Sequence, residues 1–182
     1  MTKLYFLKIE NAVYYSELFA RKVLGQWLGV DGSSLSIGIN EFGKPYLRDY
    51  GNIHYNIAHK KGAIVCAVSD KPVGVDIEGV KNFNKRVAER FFTQNEQDYI
   101  FARKRNQDLR FAKVWTRKEA YVKWAGKGMT IPFNSFDVLK LDKSNVFIRT
   151  EYVGGYIISV CYSWHFGRVA LHAAAKGGTG RE

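Results

Sequence analysis

The hydrophobic pattern of this chain changes its period several times, and this limits the fold more than any other feature. Up to about residue 77, short apolar runs have the two-residue alternation or β-rich composition of strands, interrupted by one helical stretch. From residue 85 to 124 the apolar residues recur at helical spacing, and from Phe136 the strand pattern returns. This order predicts an α+β fold in which helices cover one face of antiparallel sheets.

The individual elements follow from the same pattern. Strands are predicted over residues 3–9, 35–39, 45–47, 53–58, 63–68, 73–77, 138–141, 146–150, 156–162 and 169–174. Helices are predicted over 16–28, 85–92 and 108–124, with a further helix starting at Thr93, which forms a capping-box pattern with Glu96. The glycine-rich tail after Lys176 is expected to be mobile.

The charge of the chain points to an anionic partner. There are 28 Lys and Arg residues against 17 Asp and Glu, so the formal charge is +11. Nucleic acid, an acidic lipid surface, a phosphorylated cofactor and an acidic protein would all be attracted. The charge alone does not choose among them.

The location of the protein is predicted from three features. The apolar run at residues 63–68 is far shorter than the roughly 20 residues that a membrane helix needs, and the first ten residues do not have the pattern of a secretion signal. Cys66 and Cys161 lack ligand-pair spacing and are expected to be buried small hydrophobes. We therefore expect a cytoplasmic protein without a membrane segment.

Two carboxylates are predicted to share one face of a strand. Residues 72–78 read P-V-G-V-D-I-E, so Asp76 and Glu78 point the same way while Val75 and Ile77 enter the core. Neighbouring anions repel, and a divalent cation between them makes the arrangement favourable, with oxygen ligands suiting Mg²⁺. The alternative is a solvated strand edge with two ordinary acids.

A second charged group lies on the longest predicted helix. In W-T-R-K-E-A-Y-V-K, Trp115, Glu119 and Lys123 are spaced at four residues and occupy one helical face. Glu119 would supply a third metal oxygen or a base, and Lys123 a positive charge for phosphate. Lys118 lies on a neighbouring part of the helix and could add another charge. The alternative is a surface ion pair between Glu119 and Lys123.

Two further basic positions come from turns and strand ends. His59 ends the stretch N-I-A-H and is followed by Lys60 and Lys61, and a protonated histidine there can bind phosphate. Lys44 lies in the G-K-P turn. Each has an ordinary alternative, an exposed histidine and a solvated lysine. The G-K-G at residues 126–128 lacks the frame of a P-loop.

The order of these motifs resembles a known family. Along residues 43–136, about half the chain, the sequence reads G-K-P, N-x-x-H, G-V-D-I-E, F-F-x-x-x-E, W-x-x-K-E-A-x-x-K and G-K-G-M. In this order the motifs resemble those of the 4'-phosphopantetheinyl transferases of the surfactin-synthetase-activating type. The sequence departs from many relatives at Ala58, where they have serine, so one hydroxyl contact to the nucleotide would be missing.

The resemblance implies a fold and a reaction. It implies a monomeric pseudo-dimer of two similar α/β halves, each an antiparallel sheet packed against helices, with the active site in the cleft between them. The division expected is residues 1–72, residues 73–176 and a flexible tail at 177–182. The implied reaction transfers the phosphopantetheine arm of coenzyme A to a serine of an acidic apo carrier protein and releases 3',5'-adenosine bisphosphate.

The resemblance also implies roles for single residues. Asp76, Glu78 and Glu119 would bind Mg²⁺, with Mn²⁺ as the alternative ion, and Asp76 would count among the catalytic residues. Lys44, His59 and Lys118 would contact coenzyme A; Glu119 would help deprotonate the carrier serine, and Lys123 would bind and stabilise the leaving phosphate. Phosphoryl transfer needs this kind of positioning and charge neutralisation.

Two other functions compete with this interpretation. A basic nucleic-acid-binding module agrees with the charge and the 27 aromatic residues, but the sequence lacks RNP, KH and zinc motifs. A silent relative would bind a carrier protein or coenzyme A without transfer. The complete set of acids and lysines favours the enzyme, with neither nucleic acid nor membrane as a partner.

Overall fold

The computed structural model describes residues 1–80, 83–141, 145–163 and 170–173. The α-helices and strands in those ranges are β1 Thr2–Lys8, α1 Ala12–Leu28, β2 Ile37–Ile39, β3 Pro45–Leu47, β4 His54–Lys60, β5 Ala63–Ser69, β6 Val73–Gly79, α2 Lys85–Phe91, α3 Gln94–Phe101, α4 Gln107–Ala125, β7 Val146–Val153, β8 Tyr156–Ser163 and β9 Ala170–Ala173. None of these helices has both the length and the apolar character needed to cross a membrane. The observed order agrees with the predicted α+β class.

The strands form two sheets and one hairpin. The first sheet has the order β4-β5-β1-β9, the second has the order β6-β8-β7, and β2 pairs with β3. The predicted antiparallel pairing is confirmed for every pair except the last, because β9 runs parallel to β1. The end of the described chain therefore returns to the sheet that its first strand helped to form.

The structure has four layers, namely α1, the first sheet, the second sheet and α4, and three apolar clusters fill the spaces between them. Strand β5 lies between two of these clusters. All seven residues of β5 are buried. Val65 and Ala67 pack toward the second sheet, whereas Ile64 and Cys66 pack in the cluster that includes α1. A third cluster joins α4 to the far side of the second sheet. A strand covered on both faces needs a continuous apolar run, which is the pattern at residues 63–68.

Both cysteines have the predicted structural role. Cys66 and Cys161 are free thiols and are buried. Burial raises the pKa of Cys66 to about 12 and also raises the pKa of Cys161. Both thiols therefore act as small core residues, since an un-ionised thiol is a poor nucleophile.

The predicted start of α3 is confirmed in atomic detail. The Glu96 amide donates to Thr93 Oγ1 at 3.4 Å, and the Thr93 amide donates to Glu96 Oε2 at 2.9 Å. These two bonds satisfy donors that a helix N-terminus leaves unpaired.

The strand predicted over residues 138–141 is wrong. These residues form a turn. The Val138 amide donates to Glu96 Oε1 at 2.8 Å, and the Val138 carbonyl accepts from Arg117 Nη2 at 2.6 Å. Because side chains from α3 and α4 satisfy this backbone, it does not need a neighbouring strand.

The end of the chain is only partly described. The predicted tail at 177–182 lies outside the described residues, as do residues 169 and 174 of the last predicted strand. The predicted division at residues 72/73 and 176 therefore remains a prediction.

Gly74 allows β6 and α4 to lie unusually close together. A Cβ atom at this position would lie 2.1 Å from the carbonyl oxygen of Ala120 and 2.2 Å from the amide nitrogen of Trp124. These are backbone atoms of α4, so they cannot move aside without moving the helix. The missing side chain at Gly74 therefore sets the distance between the strand and the helix.

We predict that Gly74→Ala destabilises the protein by about 1–3 kcal/mol, because the added methyl group would overpack this contact. Gly79→Ala is the matched control on the same strand, since a Cβ atom there would have no neighbour within 4 Å among the described residues. Urea unfolding of both variants measures the difference. Equal unfolding midpoints would contradict the close contact.

Candidate active site

The acids of β6 lie on the strand face opposite to its core residues. Val75 and Ile77 belong to the core between the sheets, as predicted, so the alternate residues turn toward α4. Asp76 is 7% exposed. An ionisable group is rarely this enclosed without a partner or a function.

The partner of Asp76 is Lys123. The Lys123 ammonium donates to Asp76 Oδ1 at 2.6 Å, and it comes from the last turn of α4. The other carboxylate oxygen, Oδ2, is buried and has no hydrogen-bond partner among the described residues. Burial raises the pKa of Asp76 to about 7; Lys123 opposes the shift, while Glu119 and Glu78 add to it. A proton or a cation at Oδ2 is therefore favoured.

Glu119 belongs to the same electrostatic cluster. It lies one helical turn before Lys123 and is half-buried. Burial raises the pKa of Glu119, Lys123 lowers it, and the negative charge of Glu78 raises it further. The structure thus brings Asp76, Glu78, Glu119 and Lys123 together.

Glu78 is paired with a lysine of the first sheet. Lys60 Nζ lies 2.8 Å from Glu78 Oε1 in a hydrogen bond and 2.7 Å from Oε2. The second contact is an ion pair without hydrogen-bond geometry. Oε2 therefore makes no hydrogen bond, although the Lys60 ammonium lies next to it. Both oxygens of Glu78 are therefore held by one ammonium group.

The acids fit a hard divalent cation in chemistry, but ammonium groups hold two of them in the structure. Within the described ranges, no three His, Cys, Asp or Glu side chains have the spacing of a metal site. Lys123 contacts Asp76, and Lys60 contacts Glu78. Carboxylate oxygens are the ligands that Mg²⁺ prefers, and the buried Oδ2 of Asp76 is an acceptor without a hydrogen-bond partner in the described part of the chain. We conclude that the donor chemistry of these residues fits such an ion, whereas their spacing in this structure is not that of a closed metal site.

His59 points away from this cluster. It is exposed at the end of β4, and its Nδ1 lies 3.2 Å from Ser16 Oγ on α1. Successive strand residues alternate, so Lys60 turns to the opposite side, toward β6. The phosphate contact predicted for His59 stays a prediction.

Lys44 ties the β2–β3 turn to the end of α4. Its ammonium donates to the carbonyl of Val73 at 2.9 Å and to the carbonyl of Lys123 at 2.5 Å. Burial lowers the pKa of Lys44 to about 8. A lysine at a helix C-terminus also complements the helix dipole. The coenzyme contact predicted for Lys44 stays a prediction, and carbonyl groups engage its ammonium in this structure.

The coenzyme contact predicted for Lys118 needs correction. Lys118 is 0% exposed and pairs with Glu96 at 2.8 Å, which is also 0% exposed. Its ammonium donates to the carbonyls of Phe133 and Phe136 and lies 4.3 Å from the centre of the Phe136 ring. With its charge enclosed in this way, Lys118 supports the fold and cannot meet a ligand.

Sequence reasoning missed two residues that build the cluster, Lys60 and Gly74. The signal for Lys60 was its spacing from Asn56, because residues 56, 58 and 60 face one side of β4. Asn56 Oδ1 accepts the Val75 amide at 2.8 Å and so fixes β4 beside β6. The signal for Gly74 was its position two residues before Asp76, on the strand face that meets a helix.

A cavity of about 210 Å³ opens beside Glu78. Apart from the Lys60–Glu78 pair its side-chain walls are apolar, so a ligand there would meet both charge and hydrophobic surface. Its lining residues are Lys60, Glu78, Gly79, Val87, Phe111, Ala112 and Trp115.

Three curated relatives are similar to this chain. The 4'-phosphopantetheinyl transferase gsp of Aneurinibacillus migulanus is 40% identical over 134 residues, which are 73% of this chain and 56% of that protein. A 4'-phosphopantetheinyl transferase of Bacillus subtilis is 37% identical over 134 residues, 73% of this chain and 60% of that protein. The 4'-phosphopantetheinyl transferase Sfp of Bacillus subtilis strain 168 is 30% identical over 158 residues, 80% of this chain and 70% of that protein.

These matches cover the acids of β6 and the charged face of α4 but not all of each relative. The chain spans 56% and 60% of the length of the first two relatives. The family model of the 4'-phosphopantetheinyl transferase superfamily matches residues 72–174, more than half of the chain. With the predicted motifs in their expected order and the cluster that they form, the chain belongs to the 4'-phosphopantetheinyl transferase superfamily, and its curated relatives include the surfactin-synthetase-activating type.

Proposed function

We propose that this protein transfers the 4'-phosphopantetheine group of coenzyme A to a serine of an apo carrier protein in a magnesium-dependent reaction. In this reaction the serine oxygen forms a bond to the β-phosphorus of coenzyme A. The bond from that phosphorus to the bridging oxygen breaks, and 3',5'-adenosine bisphosphate leaves.

One observation carries the proposal. The carboxylates of β6 and the Glu119–Lys123 face of α4 form one enclosed cluster, in which Lys123 lies 2.6 Å from Asp76, and burial, with the charge of Glu119 adding to it, raises the pKa of Asp76. A transfer of a charged phosphoryl group depends on placing opposite charges where they are needed and keeping water out. A cluster at the surface would do neither.

The three acids would hold the metal ion. Asp76, Glu78 and Glu119 would be its protein ligands, and the bound ion would neutralise the pyrophosphate and make its phosphorus more electrophilic. Oδ2 of Asp76 supports this role, because it is a buried anionic oxygen without a hydrogen-bond partner among the described residues.

Glu119 and Lys123 would move and stabilise charge during the reaction. Burial raises the pKa of Glu119, which makes its carboxylate a better acceptor for the serine proton than a solvated glutamate. Lys123 is partly exposed, with 30% of its side chain accessible, so its ammonium can also reach a phosphate. There it would stabilise the charge that develops on the leaving group.

The partner and the assembly are part of the proposal. A carrier protein with an acidic surface suits the +11 charge of the chain. We propose that residues 1–72 and 73–176 form the two halves of a pseudo-dimer with the site between them. The contacts of Asn56 with Val75 and of Lys60 with Glu78, each joining the two sheets, support this arrangement. One chain would then supply a complete site, so we expect a monomer.

We predict that Asp76→Ala and Glu119→Ala each reduce transfer by at least about 100-fold, because each removes charge that acts on the reacting phosphate. The assay incubates the protein with coenzyme A, Mg²⁺ and an apo carrier protein and detects the added mass by mass spectrometry. Glu10→Ala is the control, since Glu10 is an exposed carboxylate. Circular dichroism checks the fold of each variant.

Two results would count against this prediction. Near-normal turnover of the folded Asp76 or Glu119 variant would remove that residue from the site. If the unsubstituted protein binds coenzyme A but adds no mass to any carrier in a panel, the chain is a binding relative and not a transferase.

We predict that Lys123→Ala lowers kcat more than it raises KM for coenzyme A, since the charge that it supplies matters most in the transition state. Steady-state kinetics at several coenzyme A concentrations separate the two parameters. A raised KM with an unchanged kcat would reassign Lys123 to ground-state binding of the coenzyme.

We predict that Mn²⁺ affinity rises with pH up to about pH 7 and then levels off, because the raised pKa of Asp76, about 7, lets a proton compete with the ion. Below that pH a single competing proton changes the affinity by up to about tenfold per pH unit. Titration calorimetry of the metal-free protein between pH 6 and pH 8 measures this, and Asp76→Asn should flatten the profile. The same affinity at pH 6 and pH 8 in the unsubstituted protein would contradict the prediction.

A further inference from the structure

We infer that Lys60 is a displaceable counter-ion of Glu78 and competes with the divalent cation for this carboxylate. The inference rests on the proposed function only in taking Glu78 as a ligand of the ion. It gives Lys60 a role in setting the metal affinity of the site.

The contacts of Glu78 differ from those of Asp76 in one decisive way. Lys123 contacts Asp76 through Oδ1, and Oδ2 has no hydrogen-bond partner in the described structure, so a cation can reach Asp76 while Lys123 stays. Lys60 lies within 2.8 Å of both oxygens of Glu78. A cation can therefore bind Glu78 at full strength only when Lys60 withdraws.

Lys60 is held in position by the contact between the two sheets. Asn56 accepts the Val75 amide at 2.8 Å, and Lys60 lies two strand intervals further along the same face of β4. Glu78 lies three residues beyond Val75 on β6. The position of β4 beside β6 therefore places the Lys60 ammonium next to the Glu78 carboxylate.

The exposure of the pair makes release inexpensive. The side chain of Lys60 is 38% exposed and that of Glu78 is 20% exposed, whereas both members of the Lys118–Glu96 pair are 0% exposed. Opening an enclosed pair strands two charges without water. An ammonium that already touches solvent returns to it readily, and partly exposed pairs are weak.

The cavity next to the pair is where the released Lys60 side chain would bind an anionic ligand. Lys60 and Glu78 line the same cavity of about 210 Å³. After Lys60 leaves Glu78, its charge remains beside this space, where it would attract an anionic ligand that arrives with the cation.

Direct measurement of Mn²⁺ binding by titration calorimetry tests the inference without any transfer assay. We expect Lys60→Ala and Lys60→Gln to bind Mn²⁺ about two- to fivefold more tightly than the unsubstituted protein, a range that the strength of partly exposed ion pairs allows. Lys61→Ala is the matched control, because Lys61 is the exposed neighbour and its loss changes the net charge equally. We expect it to change the affinity less than twofold, which is about the effect of a distant screened charge.

Removing Lys60 in a protein that also lacks the Glu78 carboxylate shows whether the effect of Lys60 on Mn²⁺ affinity depends on Glu78. In Glu78→Gln protein, removal of Lys60 should no longer tighten Mn²⁺ binding, because the carboxylate for which Lys60 and the cation compete is gone. Lys60→Arg should bind Mn²⁺ no more tightly than the unsubstituted protein, because it keeps the positive charge.

The outcomes separate this inference from the proposed function. Tighter binding by Lys60→Ala alone supports the inference, including the case in which the unsubstituted protein binds no measurable Mn²⁺. Unchanged or weaker binding by Lys60→Ala overturns it and indicates that Lys60 only ties the sheets together. Equal tightening by Lys61→Ala also overturns it. Failure of phosphopantetheine transfer with tighter Mn²⁺ binding by Lys60→Ala would overturn the proposed function and leave the inference standing.

Discussion

The candidate site depends on how closely α4 lies on β6. Any side chain at residue 74 would push the backbone of α4 away from that of β6, because a Cβ there would lie 2.1 Å from the Ala120 carbonyl oxygen. Ala120 is itself small and fully buried. Two residues further along the strand, this closeness brings Asp76 within 2.6 Å of Lys123. The same closeness excludes water, and loss of water is the main reason why the pKa values of Asp76 and Glu119 are raised.

Burial decides what each lysine near the site can do. Lys118 is completely enclosed with Glu96, and there its charge binds the loop after α4 to the helix. Lys123 is 30% exposed and, in the proposed function, would turn from Asp76 to a ligand, while Lys60 is 38% exposed and would return to water. The chemical group is the same in all three cases. Its freedom to exchange partners rises with exposure, because an enclosed ammonium has no water to replace a lost carboxylate.

Much of the fold and part of the site follow from local sequence patterns, and the errors occur where distant side chains intervene. The strand alternation correctly predicted that Val75 would enter the core, but the predicted strand after Phe136 is a turn, because Glu96 binds the Val138 amide from another helix. The burial of Lys118 could have been predicted from the helical spacing of its neighbours, but its positive charge favoured a ligand contact instead. Residues 114, 118 and 122 form a helical stripe, and both of its other members are buried valines. The stripe indicates an inner face, on which a lysine needs a buried partner.

The ammonium groups also offset the repulsion among the three neighbouring acids. Lys123 approaches from α4 and Lys60 from the first sheet, so the repulsion between the carboxylates is offset from two sides. Such a site must rearrange when a cation arrives, since no three acids of the described residues have metal-site spacing, and its two strand acids are not equally ready. Asp76 offers an oxygen that is free of hydrogen bonds to the described residues, whereas both oxygens of Glu78 touch Lys60. Asp76 would therefore be the more accessible ligand for a cation, and Glu78 would become available only as Lys60 leaves, so the first sheet would take part in completing the site.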